Sequence, residues 1–148
     1  LAGEAQSLLE QGFATKVFVT ERDVSVNNRL LAAAKAEAAK DKAALAKNEA
    51  AAKGAATGDA LVKVGAQYLG FGDNAKAIEG IKSGIAKGSL AKAEPPELQA
   101  QRNDEAGLLL GIAHLRNNNK AEAARAFNSV KRDPTMVRIA KLWLLNTK

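Results

Sequence analysis

The chain has 148 residues, a net charge of +6 and no cysteine. The lack of cysteine excludes disulfides, thiol nucleophiles and cysteine metal ligands, although it fits an oxidising or a reducing compartment equally well. No stretch approaches the ~20 apolar residues of a membrane-spanning helix, so we expect no membrane span. Hydrophobic residues make up 47% and aromatic residues 4%. The core must therefore be built from Ala, Leu, Val and Ile, which favours an all-α fold.

The N-terminal part predicts a short helix, a connector and a long helix. Residues 2–12 have amphipathic helical spacing, and we expect the connector that follows to bury Phe13, Val17 and Phe18. Thr20 can cap the next helix, because its hydroxyl can accept a free backbone N–H.

The long helix is predicted over residues 27–53, where neither Gly nor Pro occurs and Ala and Lys dominate. This segment is either one helix or two helices that meet near Asp41, and a disordered linker is the alternative. Glu49 and Lys53 have the orientation of a favourable i, i+4 pair.

The rest of the chain predicts two helical hairpins and a last helix. Helices over residues 59–70 and 74–87 are joined by a Gly72-Asp73 turn. Helices over 96–117 and 120–131 are joined by Asn117, Asn118 and Asn119, since Asn tolerates left-handed backbone angles. Pro134 ends the second hairpin, and 135–146 forms the last helix.

Both hairpins carry the same motif. The first is Leu61-x2-Val64-Gly65-x2-Tyr68, then Ala77-x3-Ile81. The second is Gly107-x2-Leu110-Gly111-x2-His114, then Ala123-x3-Phe127 and Pro134. This resembles the tetratricopeptide repeat (TPR) pattern W-x2-L-G-x2-Y…A-x3-F…P, in which small residues let two helices cross closely. The chain departs from the pattern at the tryptophan position, and Gly65 and Gly111 are farther apart than the family's ~34 residues.

The resemblance implies one TPR-like helical domain over residues 1–148, a short α-solenoid of stacked antiparallel helix pairs. Within it, 1–57 is a partial repeat with the long Ala/Lys-rich helix, and Ala5-x3-Leu9 matches a second repeat helix. Residues 58–91 and 96–134 are repeats, and 135–148 is a capping helix. The chain begins at Leu1 without Met or a leader, which we interpret as a mature or truncated fragment. We assign no compartment, and the bacterial periplasm and cytoplasm both stay open.

The resemblance also implies a binding groove lined by the first helix of each repeat. The matching residues are Val62, Ala66, Leu69, Leu108, Ile112, Leu115 and Arg116. Because they are mostly apolar, we expect an apolar helix or an extended peptide as the occupant. Alternatively, another part of this chain covers the groove.

The expected function is a protein-interaction scaffold without catalytic residues, cofactor or metal. His114 is the only histidine and falls on a packing position, and Asp104 and Glu105 are interpreted as solvated carboxylates at a helix start. Nucleic-acid or anionic-surface binding is the alternative, and nucleic acid is the less favoured partner because aromatic side chains for base stacking are scarce. That alternative needs one contiguous basic stripe from Lys82, Lys87, Lys92, Lys120, Arg125, Lys131, Arg132, Arg138 and Lys141. Self-assembly through the last helix is a third hypothesis.

Overall fold

Helices form most of the chain. A computed structural model describes residues 2–92 and 94–148, and within those residues every regular element is helical, which confirms the all-α prediction. The helices are α1 (Ala2–Ala14), α2 (Glu21–Gly54), α3 (Asp59–Gly70), α4 (Asn74–Lys87), α5 (Pro96–Arg116), α6 (Lys120–Ser129), α7 (Pro134–Leu144) and a final 3-10 turn (Leu145–Thr147). The chain divides into two compact units, residues 1–48 and 49–148.

The first unit contains α1 and most of α2. The Thr20 hydroxyl accepts the Asp23 N–H at 3.1 Å, which confirms the predicted cap. Helix α2 runs without interruption past Asp41, so of the alternatives the single long helix is correct. An exposed ion pair of 3.2 Å joins Lys35 to Glu10, and such pairs stabilise a fold only slightly.

The connector between α1 and α2 buries less than the sequence predicts. Phe13 and Phe18 are half-buried and meet edge to face, with ring centroids 4.9 Å apart. Val17 is 65% exposed, so the prediction that it joins the core is wrong. The chain leaves the helix at Lys16, which has a φ of 55°. The segment after it, residues 17–19, is not helical. Phe18 turns inward while Val17 and Val19 face solvent.

The second unit contains α3 to α7, packed in chain order. Each helix contacts the next, and α3 also contacts α5, as α5 contacts α7. The predicted helices over 59–70 and 74–87 have the observed bounds. Helix α6 ends at Ser129 rather than at Lys131, because the Lys131 N–H bonds to the Asp104 carboxylate instead of continuing the helix.

The turns of the two hairpins have the same backbone geometry. Gly72 and Asn118 take left-handed angles, with φ of 79° and 59°. The next residues, Asp73 and Asn119, each donate an N–H to the carbonyl five positions earlier, at 3.0 and 2.8 Å. The Asp73 carboxylate also accepts the Lys76 N–H at 3.1 Å, which caps α4. The predicted turns are therefore confirmed, and their hydrogen bonding is shared.

Small residues lie where the helices of each hairpin cross. A Cβ on Gly65 would lie 2.6 Å from Ile81 Cγ1 and 2.8 Å from the Ile81 backbone nitrogen. A Cβ on Gly111 would overlap the ring of Phe127. The facing alanines, Ala77 and Ala123, are fully buried. The close crossings predicted from the motif are present in both hairpins. By contrast, Ala5 is exposed, so α1 lacks the buried alanine of α4 and α6.

The two hairpins place their second small residue on opposite helices. In the first hairpin it is Gly84 of α4, where a Cβ would lie 2.7 Å from a Val62 methyl. In the second it is Gly107 of α5, where a Cβ would lie 3.3 Å from Val130. By the shared motif, Gly84 corresponds to Val130 and Gly107 corresponds to Leu61. At these positions each hairpin places a larger residue opposite a glycine, Val62 opposite Gly84 and Val130, the residue after α6, opposite Gly107.

Candidate partner-binding surfaces

The α3 part of the predicted groove is largely interior. Leu69 is only 6% exposed. Val62 is half-buried, and one of its methyl groups lies over Gly84 of α4. Ala66 is half-buried as well. These side chains offer a partner little contact area in this conformation.

The α5 part of the groove faces other helices of the second unit. Leu108 belongs to the core formed with α6 and α7, and half-buried Ile112 and Leu115 pack against the same core. The Arg116 guanidinium donates to the Leu69 carbonyl at 3.4 Å, and its own carbonyl accepts from the Asn74 amide at 3.2 Å. Arg116 therefore links the two hairpins. The sequence left two occupants of the groove open, a partner peptide and another part of this chain. Packing by the chain itself accounts for the contacts of Leu108, Ile112 and Leu115.

An open cleft in the second unit lies at the N-terminal part of α5. Helix α5 has 21 residues and α3 has 12, and the additional turns of α5 lie at its N-terminal end. The cleft forms between this extension, the loop before it and the start of α3, with a volume of about 720 Å³. Its lining residues are Thr57, Asp59, Ala91, Lys92, Glu94, Leu98 and Arg102.

Two contacts shape the cleft. Both carboxylate oxygens of Asp59 accept the Ala91 N–H, at 3.0 and 3.1 Å, which fastens the loop to the start of α3. Leu98 is 38% exposed, so its side chain is available in the wall. The sequence marked this region mainly as additional length between the two motifs. Of the cleft residues only Lys92 was predicted as part of a site, in the basic stripe of the nucleic-acid alternative.

A smaller pocket of about 150 Å³ lies between the end of α2 and the first hairpin. In it the Glu49 carboxylate accepts the Tyr68 hydroxyl at 2.6 Å and the Lys53 ammonium at 2.7 Å, which confirms the predicted Glu49–Lys53 pair. The Lys76 ammonium lies 5.0 Å from the Tyr68 ring centroid. The hydrogen bond to Glu49, followed by burial, raises the pKa of Tyr68 to about 12.

The equivalent position in the second hairpin holds His114. Its side chain is 7% exposed, and its Nδ1 has no hydrogen-bond partner among the described residues. Burial lowers the pKa of His114, nearby Lys82 lowers it further, and Glu122 opposes both. Tyr68 has an acidic side chain, Glu49, on the preceding helix and a basic one, Lys76, on the following helix. His114 has the reverse arrangement, with basic Lys82 on the preceding helix and acidic Glu122 on the following one.

Asp104 is a structural carboxylate. It is 3% exposed, so the expectation of a solvated group is wrong. Its oxygens accept three consecutive backbone N–H groups, from Lys131 at 3.2 Å and from Arg132 and Asp133 at 2.6 Å each. Because carboxylate acceptors form strong hydrogen bonds with backbone N–H groups, this contact fixes the chain where it enters α7.

Three further observations bear on the function of these surfaces. Residues 2–92 and 94–148 contain no group of three His, Asp or Glu side chains that could together hold a metal ion. In the same part of the chain, no helix combines the length and apolarity needed to cross a bilayer. No protein-family model, curated protein or solved structure compared with the chain matches it.

Proposed function

We propose that this protein is a protein-interaction scaffold in which α3 to α7 form a short α-solenoid of the TPR type. The observation that carries the proposal is the duplicated hairpin. Both copies share the glycine crossing, the buried alanine and the left-handed turn residue with its hydrogen bond. Contacts of α3 with α5 and of α5 with α7 suit repeat units stacked in chain order.

The cleft beside the α5 extension is the proposed partner site. A peptide crossing it would meet one large apolar side chain, Leu98. The same cleft is lined by two acidic residues, Asp59 and Glu94, and two basic residues, Lys92 and Arg102. Side chains of both signs around an apolar contact suit a peptide that places an apolar residue on Leu98 and charged residues beside it. This moves the proposed occupant, an apolar helix or an extended peptide, from the predicted groove to the adjacent cleft, because the cleft is open and much of the groove is packed.

A selection experiment tests the cleft. A peptide-display library is selected against the whole chain, and enriched peptides are titrated against Leu98→Asp and against Leu8→Asp. Leu8 is 63% exposed on α1 and provides the same substitution outside the cleft. We expect L98D to weaken binding about tenfold, because a carboxylate would face the apolar residue of the peptide, and L8D to have little effect. Equal binding by L98D and the wild type would remove the cleft from the proposal.

The nucleic-acid alternative predicts a different result. Duplex DNA or RNA would bind with an affinity that falls steeply as salt rises, because binding releases counterions. The selected peptides would then be outcompeted by nucleic acid at low salt. Binding of the peptides that survives at high salt and depends on Leu98 supports the scaffold.

A further inference from the structure

The net charge of the chain comes from its last 33 residues. Residues 116–148 contain eight Lys and Arg against two Asp and Glu, a net +6, whereas residues 1–115 contain fourteen of each sign and are neutral. This C-terminal segment includes α6, α7 and the 3-10 turn. A surface with one sign of charge attracts a partner of the opposite sign and orients its approach.

One face of α7 adds exposed leucines to this charge. Arg138, Lys141, Leu142 and Leu145 follow the i, i+3, i+4, i+7 spacing that places side chains on one face. Leu142 is 65% and Leu145 is 62% exposed, and both cations are exposed. Neither Arg138 nor Lys141 forms an ion pair with any of the described residues. The opposite face of α7 packs through Ala140 and Trp143 into the core, and the Trp143 ring stacks on Phe127 at 6.2 Å.

We propose that this face, the α7 basic-leucine face, binds an acidic amphipathic helix of a partner protein. Two leucines beside two unpaired cations match a helix that carries apolar residues along one stripe and Glu or Asp next to it. The final helix and 3-10 turn together span 14 residues, so a partner helix of about four turns covers the face. The inference concerns a surface separate from the cleft and does not depend on what the cleft binds.

Charge and shape favour this occupant over three others. A second copy would bring two segments of +6 together, which opposes association. Nucleic acid would use the cations but leave both leucines without an apolar contact. A lipid surface needs an apolar face inserted among the acyl chains, whereas most apolar side chains of α7 are already packed inside the protein.

The test uses a synthetic helical peptide of roughly 18 residues, five turns, with Leu along one stripe and Glu on both sides of it. Two control peptides replace Glu by Lys or scramble the order at constant composition. Affinity for the full chain is measured by fluorescence anisotropy. We expect the acidic amphipathic peptide to bind and the Lys peptide not to bind. The scrambled peptide should bind at least about fivefold more weakly, because scrambling removes the apolar stripe that contacts the two leucines.

The protein variants separate charge from apolar contact. Arg138→Glu with Lys141→Glu should lower affinity about tenfold or more. The same reversal at Lys42 and Lys47, exposed on α2, changes the net charge equally and should alter affinity less than about twofold. Leu142→Ala with Leu145→Ala should weaken binding even at high salt, where exposed ion pairs are screened. All of these side chains are exposed, and thermal unfolding checks that each variant folds. Arg138→Gln with Lys141→Gln replaces the reversal if that pair unfolds.

Several results would overturn the proposal. Equal binding by the scrambled peptide would reduce the effect to net charge. Anionic phosphatidylglycerol vesicles or duplex DNA that bind more tightly than the peptide, with the same dependence on Arg138 and Lys141, would assign the face to a membrane or to nucleic acid. A wild-type dimer that the leucine variant converts to monomer would assign it to a second copy. L98D should leave peptide binding to α7 unchanged, so the two proposals fail separately.

Discussion

Substituting Gly65 by alanine tests whether the close crossing of α3 and α4 stabilises the fold. The new Cβ would lie 2.6 Å from Ile81 Cγ1, 2.8 Å from the Ile81 nitrogen and 3.0 Å from the Ala77 carbonyl oxygen. Two of these three atoms belong to the backbone, so a rotamer change cannot relieve the contact and the helices must separate. Overpacking of this kind costs about 3 kcal/mol. Alanine returns about 1 kcal/mol through its higher helix propensity. We expect a net loss of about 2 kcal/mol of unfolding free energy.

The assay is urea unfolding followed by circular dichroism, with Gly54→Ala as the matched control. Gly54 ends α2, and a Cβ there would have no atom within 4 Å. Gly54→Ala should therefore be neutral or slightly stabilising, because it changes backbone entropy without a clash. The reasoning is refuted if Gly65→Ala is as stable as the wild type, since the crossing would then have room for a methyl group.

Three other predictions concern the second hairpin, the buried carboxylate of Asp104 and the small pocket. Gly111→Ala should destabilise the fold by about 2 kcal/mol. Because the clash is with the Phe127 ring, adding Phe127→Leu in a double-mutant cycle should recover part of the loss, and strict additivity of the two substitutions would contradict this. Asp104→Ala should cost about 3 kcal/mol in denaturant unfolding, since buried N–H groups lose a charged acceptor, and a loss below about 1 kcal/mol would show that water replaces it. Tyr68 is the only tyrosine, so alkaline absorbance titration should give a midpoint near 12, lowered in Glu49→Gln. Because the folded pKa of Tyr68 is raised, its contribution to stability should be complete below pH 10 and lost as pH rises toward 12; a midpoint of 10 in the wild type would contradict it.

The hairpins could be predicted because their signals are local. The left-handed turn at Gly72 and the small residues that flank it lie within one short stretch of sequence, and each residue type has one strong physical reason to be there. The same holds for Thr20, whose hydroxyl bonds to an N–H three residues later.

Features that join distant parts of the chain were missed. Asp104 resembles any carboxylate near a helix start, and its backbone donors lie 27 to 29 residues later. The cleft likewise depends on the contact between Asp59 and Ala91, which are 32 residues apart. The groove was predicted as exposed for a related reason. Periodicity identified the helix, but it could not show that Leu108 and Ile112 pack in a core with α6 and α7.

We expect the exchange of small residues between the two hairpins to favour the native helix pairs during folding. Chains with similar repeated units can misfold by pairing a helix with the wrong copy of its partner. If α3 paired with α6, Leu61 and Val130 would compete for one space. If α5 formed a hairpin with α4, Gly107 would lose the contact with Val130, which costs stability. We therefore expect the volumes at these crossings to favour the two native pairings over an exchange of helices between neighbouring hairpins.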